Sequence, residues 1–245
     1  MANKCIALID SGVGGLSVLS RLCEVLPEED FVYFADDANL PYGNKTAGEL
    51  EEIADKAVKT VLERFDADLF VLACNTLTAA AIDGLRKRFA DKIFVGCEPN
   101  LTEPVKRGMK NVLVLCTTFT KNSERIKERF VSDAVFLDMP CLADMIENMA
   151  SDEKIVAYVR ERAGEAAEKA DCVTLGCTHY FLKEKLISDA LNLPVFSSVD
   201  GVVRRVTALN AEKSGEHPPQ PRTLAFFSSS NRVDVEKIRY YMKKN

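Results

Sequence analysis

Two cysteines stand in matching surroundings 103 residues apart, and that repeat points to chemistry. Residues 68–76 read Asp-Leu-Phe-Val-Leu-Ala-Cys-Asn-Thr, and residues 171–179 read Asp-Cys-Val-Thr-Leu-Gly-Cys-Thr-His. Each is an Asp, three residues, a Leu, a small residue, a Cys and two polar residues. A second pair, residues 4–11 and 110–117, ends in Asp10-Ser11 and Cys116-Thr117. In all four segments a short apolar run meets hydroxyl, amide or thiol side chains where a helix pattern begins. A thiol there sits beside free backbone N–H groups and the positive end of a helix, which lowers its pKa towards neutrality. One such thiol would suggest a nucleophile. Two thiols, supplied by two similar halves, suit removal of a proton from one face of a carbon and its return to the other. The bland reading is that Cys74 and Cys177 are small buried hydrophobes, as most reduced cysteines are; the repeat is what sets them apart. Cys116 also ends an apolar run, but its counterpart is Asp10, so a wall position is expected for it.

The elements that must position these groups follow from the hydrophobic pattern. Strands are expected at residues 5–9, 31–35, 69–73, 93–95, 112–115, 134–137, 172–175, 194–196 and 224–227, with helical stretches such as 47–65, 124–130 and 153–169 between them. That alternation implies βαβ units and mainly parallel sheets flanked by helices. The repeat divides the 245 residues into two similar α/β domains with the active site in the cleft between them: residues 1–97 with 208–245, and residues 98–207. Ligands of such sheets gather beyond the carboxyl ends of the strands, where all four segments end. Residues 214–221 read as a connector, the charged face at 49–59 as solvated, and Lys243-Lys244 as a solvated tail.

Composition excludes several classes. Lys and Arg total 32 against 37 Asp and Glu, a formal charge of −5; a nucleic-acid binder normally carries a basic excess. Apolar residues make up 47%, too many for a disordered chain, and no run approaches the ~18 residues of a membrane helix. Neither a signal peptide nor a membrane partner is expected, and the protein reads as cytoplasmic. Eight cysteines without a C-x-x-C pair, and only two histidines, predict neither a disulfide framework nor a zinc site. Gly12-Val13-Gly14-Gly15 has Ser17 where a dinucleotide loop needs its third glycine. Gly12, Gly14 and Gly15 are expected as tight-turn glycines that let the backbone approach a ligand.

Six ordered segments carry a family resemblance: residues 10–16 (Asp-Ser-Gly-Val-Gly-Gly-Leu), 33–36 leading to Pro41-Tyr42-Gly43, 73–76 (Ala-Cys-Asn-Thr), 95–99 (Val-Gly-Cys-Glu-Pro), Thr117 with Thr120, and 175–180 (Leu-Gly-Cys-Thr-His-Tyr). Between residue 5 and about residue 206 the chain resembles the glutamate racemases of the cofactor-independent aspartate/glutamate racemase superfamily. The resemblance implies a two-domain α/β fold and interconversion of L- and D-glutamate. It also implies that neither metal nor organic cofactor is used, and a role in supplying D-glutamate for peptidoglycan. Carried over by position, Cys74 and Cys177 are the acid/base thiols, Asp10 assists Cys74 and His179 assists Cys177. Ser11, Pro41, Tyr42, Gly43, Asn75, Thr76, Thr117, Thr120 and Thr178 hold the substrate, by neutral dipoles without a strong cation. The implied partner is a small amino acid; a homodimer is left open.

Departures from the family pattern are Phe181, where Pro is usual, Phe119, where Gly is preferred and where Phe would narrow the pocket, and Glu98 in place of an apolar residue. A glutamate that supports the histidine aligns with Glu147 only across a gap. The chain opens on the first strand, so the regulatory N-terminal extension of some members is expected to be missing. The departures keep open a racemase of aspartate or another small acidic substrate, and beyond that a non-catalytic carboxylate-binding protein.

Overall fold

A parallel strand packed on both faces is apolar throughout rather than alternating, and β1 (Cys5–Asp10) is buried at all six positions. The computed structural model describes residues 4–129, 134–212 and 223–244. After β1 come α1 (Leu16–Val25), β2 (Phe31–Ala35), α2 (Ala47–Leu62), β3 (Ala67–Leu72), α3 (Asn75–Arg88) and β4 (Ile93–Gly96). The chain continues through α4 (Thr102–Lys106), β5 (Val112–Cys116), α5 (Thr118–Asn122), α6 (Glu124–Arg129), β6 (Val135–Asp138), α7 (Leu142–Glu147) and α8 (Asp152–Ala167). It closes with β7 (Cys172–Gly176), α9 (Thr178–Phe181), α10 (Glu184–Leu191), β8 (Val195–Phe196), α11 (Val199–Ala211), β9 (Leu224–Ser228) and α12 (Val235–Lys244).

Two parallel sheets result, flanked by helices as expected. The first has the order β4-β3-β1-β2-β9 and the second β6-β5-β7-β8. In the first the chain leaves β1 for β2 on one side and returns to β3 on the other. The second repeats this around β5, with β6 and β7 on opposite sides. The crevices between β1 and β3, and between β5 and β7, are therefore equivalent switch points, where loops diverge and leave room for a ligand. Side chains of both halves, from Leu8 and Leu16 to Leu115 and Leu175, join one continuous apolar cluster. No helix of the described residues is long and apolar enough to cross a membrane.

Most strand and helix ends fall within one or two residues of expectation, because caps mark them. Thr46 caps α2 in a box with Glu49, accepting from its backbone N–H at 3.3 Å while the Glu49 carboxylate accepts from Thr46 N–H at 2.8 Å. Ser151 caps α8. Residues 207 and 208 are consecutive within α11, which packs on α1. We keep the division at 1–97 with 208–245 and 98–207 as a proposal, resting on β9 joining β2 in the first sheet. Lys243 and Lys244, expected as a solvated tail, close α12, with Lys243 exposed. The connector at 214–221 and the end of the 124–130 helix at Phe130 lie outside the described residues.

Candidate active site

The carboxyl ends of β1, β3, β5 and β7 converge on one cavity of about 340 Å³. Ser11, Pro41, Tyr42, Gly43, Cys74, Thr76, Thr117, Cys177 and His179 line it, nine of the thirteen residues expected at the site. Asp10, Asn75, Thr120 and Thr178 lie in the same loops but behind the wall, nearly or fully buried. Cys74 and Cys177 occupy equivalent places, each in extended backbone as the residue before a helix, α3 and α9 respectively. Both are free thiols. Among the described residues the wall contains no Lys or Arg.

On the Cys177 side a relay leads away from the cavity. Cys177 Sγ lies 4.0 Å from His179 Nδ1, and His179 Nε2 lies 2.8 Å from Glu147 Oε2. Burial alone would depress the imidazole pKa, but the hydrogen bonds to the Cys177 thiol and the Glu147 carboxylate prevail and hold it well above its usual value. Burial pushes Glu147 the other way from its partners, and the partners win again: His179, Lys237 and the Val13 N–H bring it down to about 2. An imidazolium paired with a carboxylate thus faces one thiol.

The other thiol has a different environment. Burial and the charge of Asp10 raise the Cys74 pKa well above 9, although a backbone N–H at Leu77 opposes them. This corrects the expectation of a thiol lowered towards neutrality: the start of α3 supplies N–H groups, but desolvation outweighs them. Asp10 is itself raised by burial, despite the His179 charge and the N–H groups of Gly15 and Ser11. Its Oδ2 accepts from Gly15 N–H at 2.9 Å, just before α1, and lies 3.2 Å from the Tyr33 hydroxyl. Asp10 Oδ1, Thr178 Oγ1 and both polar atoms of Asn75 are buried with no protein partner, so each retains hydrogen-bonding capacity beside the cavity.

Hydroxyls tie the halves together. Thr117 Oγ1 donates to Thr120 Oγ1 at 3.0 Å and so must accept from Thr76 Oγ1, 2.9 Å away in the other half. Tyr42 donates to Asp36 Oδ2 at 2.7 Å, which fixes its ring in the wall. Gly12 and Gly14 are needed for a reason other than the one expected: none of the loop's glycines has positive φ. A Cβ on Gly12 would lie 2.2 Å from Glu147 Oε2, and one on Gly14 would lie 2.7 Å from His179 N, His179 Nδ1 and Thr178 Oγ1. They admit the other half of the protein, not only a ligand.

Sequence reasoning left several positions unresolved. Glu147, aligned only across a gap, is brought against His179 by α7. Met139, Pro140, Cys141, Ala143 and Asp144 line the cavity from β6 to α7, a stretch without a counterpart in the repeat; Lys237 gave no signal at all. Cys116 is not a wall residue: it lies fully buried beneath the cavity, its thiol 3.7 Å from the Leu137 carbonyl oxygen. Phe119 does not narrow the cavity, because it packs on the core of the first half. Phe181 is buried in the shared core, and Glu98 pairs with Arg125 at 3.0 Å. All three departures from the family pattern lie outside the cavity wall.

The family described as Asp/Glu/Hydantoin racemase matches residues 9–206. A Clostridium acetobutylicum protein named glutamate racemase is 34% identical over 214 residues, 83% of this chain and 83% of its own. Another of that name, from Halothermothrix orenii, is 32% identical over 251 residues, 97% of each chain. The crystal structure of Escherichia coli glutamate racemase in complex with L-glutamate and the activator UDP-MurNAc-ala is similar with a TM-score of 0.83 at 26% identity, over 98% of this chain and 96% of that one. A match from the end of β1 into α11, with relatives aligned over nearly their whole length, makes this chain a member of the Asp/Glu/Hydantoin racemase family.

Proposed function

We propose that the protein is an isomerase that interconverts L- and D-glutamate without a cofactor, using Cys74 and Cys177 as its two acid/base groups. The observation that carries the reading is the pair of free thiols, one from the β3 end of the first sheet and one from the β7 end of the second, on one cavity. The names of the relatives support glutamate as the substrate. Neutral hydroxyls, amides and backbone N–H groups at Ser11, Tyr42, Gly43, Asn75, Thr76, Thr117, Thr120 and Thr178 can hold charged ends without competing as bases.

In one direction a cysteine acts as thiolate and takes the Cα proton, leaving a planar carbanion. The opposite cysteine, as thiol, returns a proton to the other face; the reverse direction exchanges the roles. The imidazolium of His179 supports a thiolate at Cys177 and can return a proton to it. Asp10, its carboxyl pKa raised by burial, can exchange a proton on the Cys74 side. The substrate ammonium, placed beside Asp10, would lower the cost of a carbanion and of a thiolate at Cys74. By family resemblance the product serves cytoplasmic peptidoglycan synthesis.

The test is incubation of each enantiomer with the protein, without added pyridoxal phosphate, metal or ATP, followed by optical rotation. Interconversion is expected, and Cys74→Ala and Cys177→Ala should each abolish it, since one base returns a proton only to the face it left. Near-normal turnover by either variant would overturn the two-thiol assignment; activity confined to aspartate would overturn the substrate.

A further inference from the structure

Glu147 has more partners than support of a histidine requires. Oε2 accepts from His179 Nε2 at 2.8 Å and from the Val13 N–H at 2.9 Å. Oε1 receives the ammonium of Lys237, on the first turn of α12. A carboxylate rotates about its last torsion between two nearly equivalent orientations. With Oε2 alone engaged, the oxygens could exchange and the His179 bond would lose its fixed direction. Lys237 occupies the second oxygen, its side chain only 18% exposed, and does not line the cavity. The same helix is docked independently by Tyr241, whose hydroxyl donates to the Ile146 carbonyl at 2.6 Å.

We propose that Lys237 is a positioning residue of the acid/base site: by engaging Glu147 Oε1 it holds Oε2 on His179 Nε2, and so aims His179 Nδ1 at Cys177. This rests on the racemase reading for its kinetic consequence, though not for its structural one. A residue from the far end of the chain thereby sets the geometry of a thiol 60 positions earlier.

The test compares Lys237→Met, Lys237→Arg and Tyr241→Phe. Lys237→Met should lower kcat about tenfold, the loss of one charge-assisted hydrogen bond, with KM within about twofold of wild type. Lys237→Arg should recover most of that loss, and Tyr241→Phe should lower the unfolding temperature while keeping kcat within about twofold. Where the Met variant does not fold, Lys237→Gln carries the same kinetic expectation. Ring ¹⁵N spectra of the two histidines, assigned with His179→Asn, give a readout independent of turnover: Lys237→Met should shift the His179 signals and Tyr241→Phe should not. Wild-type kcat and unshifted His179 signals in Lys237→Met would overturn the proposal, as would an equal loss of kcat in Tyr241→Phe. A wild-type protein that fails to invert glutamate would remove the catalytic reading and leave the ring signals to decide the role of Lys237.

Discussion

Gly12→Ala is the smallest change that reaches the core of the proposed mechanism. Its Cβ would stand 2.2 Å from Glu147 Oε2 and 2.8 Å from Cδ, where ordinary contact begins near 3.4 Å. The loop cannot retreat easily, because Gly15 N–H is bonded to Asp10 and Val13 N–H to Glu147 itself. The carboxylate must therefore withdraw by about 1 Å, which stretches its bonds to Val13 and His179 beyond the ~3.5 Å limit. Each hydrogen bond to a charged group is worth about 1.5–3 kcal/mol; with Lys237 still in place, the lower end for both gives a loss of about 3 kcal/mol in stability. If about 2 kcal/mol of this is felt in the proton-transfer step, kcat falls roughly 30-fold. The assays are urea unfolding midpoints and initial racemisation rates by polarimetry. Gly48→Ala is the control: apart from its chain neighbours and the backbone of its own helix, no atom lies within 4 Å of its Cβ, and in a helix it should stabilise by roughly 0.5–1 kcal/mol. Shortening the partner should restore room, so Gly12→Ala with Glu147→Asp should lose less than the two single changes summed. Wild-type stability and rate in Gly12→Ala, or strict additivity in the double variant, would refute the reasoning.

Three further outcomes are expected. Glu147, held at about 2 rather than 4.5, contributes about 3 kcal/mol that is complete above pH 4.5 and lost as pH falls towards 2; His179, held high, contributes fully below about 6.5 and fades as pH rises through its elevated value. Unfolding free energies measured across pH should thus show the pair worth most between about 4.5 and 6.5, and Glu147→Gln should flatten the acid side. Thr117→Val removes the hydroxyl that caps α5 and joins Thr76 to Thr120, costing about 1–2 kcal/mol in denaturant titrations and raising KM more than it lowers kcat. Because burial holds Cys74 as a thiol in the free protein, iodoacetamide at neutral pH should label exposed Cys141 before Cys74, as peptide mass spectrometry would report.

What could be read from the sequence was whatever local chemistry repeats. The apolar runs of β1, β3, β5 and β7, and the cysteine and hydroxyl residues that end them, appear twice at matching spacing, and the sheets follow from them. Contacts between the halves are another matter. Val13 meets Glu147 across 134 residues and Lys237 meets it across 90; neither pair has any periodicity or motif to announce it. The glycines show the same limit, since Gly12 reads as turn chemistry, while the space it preserves belongs to a carboxylate from the other half. Burial is likewise a property of the assembled core, which is why the expected sign at Cys74 was reversed.

The most direct test of the two-thiol account is racemisation of one enantiomer in D2O, stopped after a few per cent conversion. The product should carry deuterium at Cα from the first turnovers, while recovered substrate retains its protium, because separate thiols serve the two faces and only the returning one has taken its proton from solvent. Deuterium entering recovered substrate as fast as product forms would mean that one group serves both faces, and the account would be wrong.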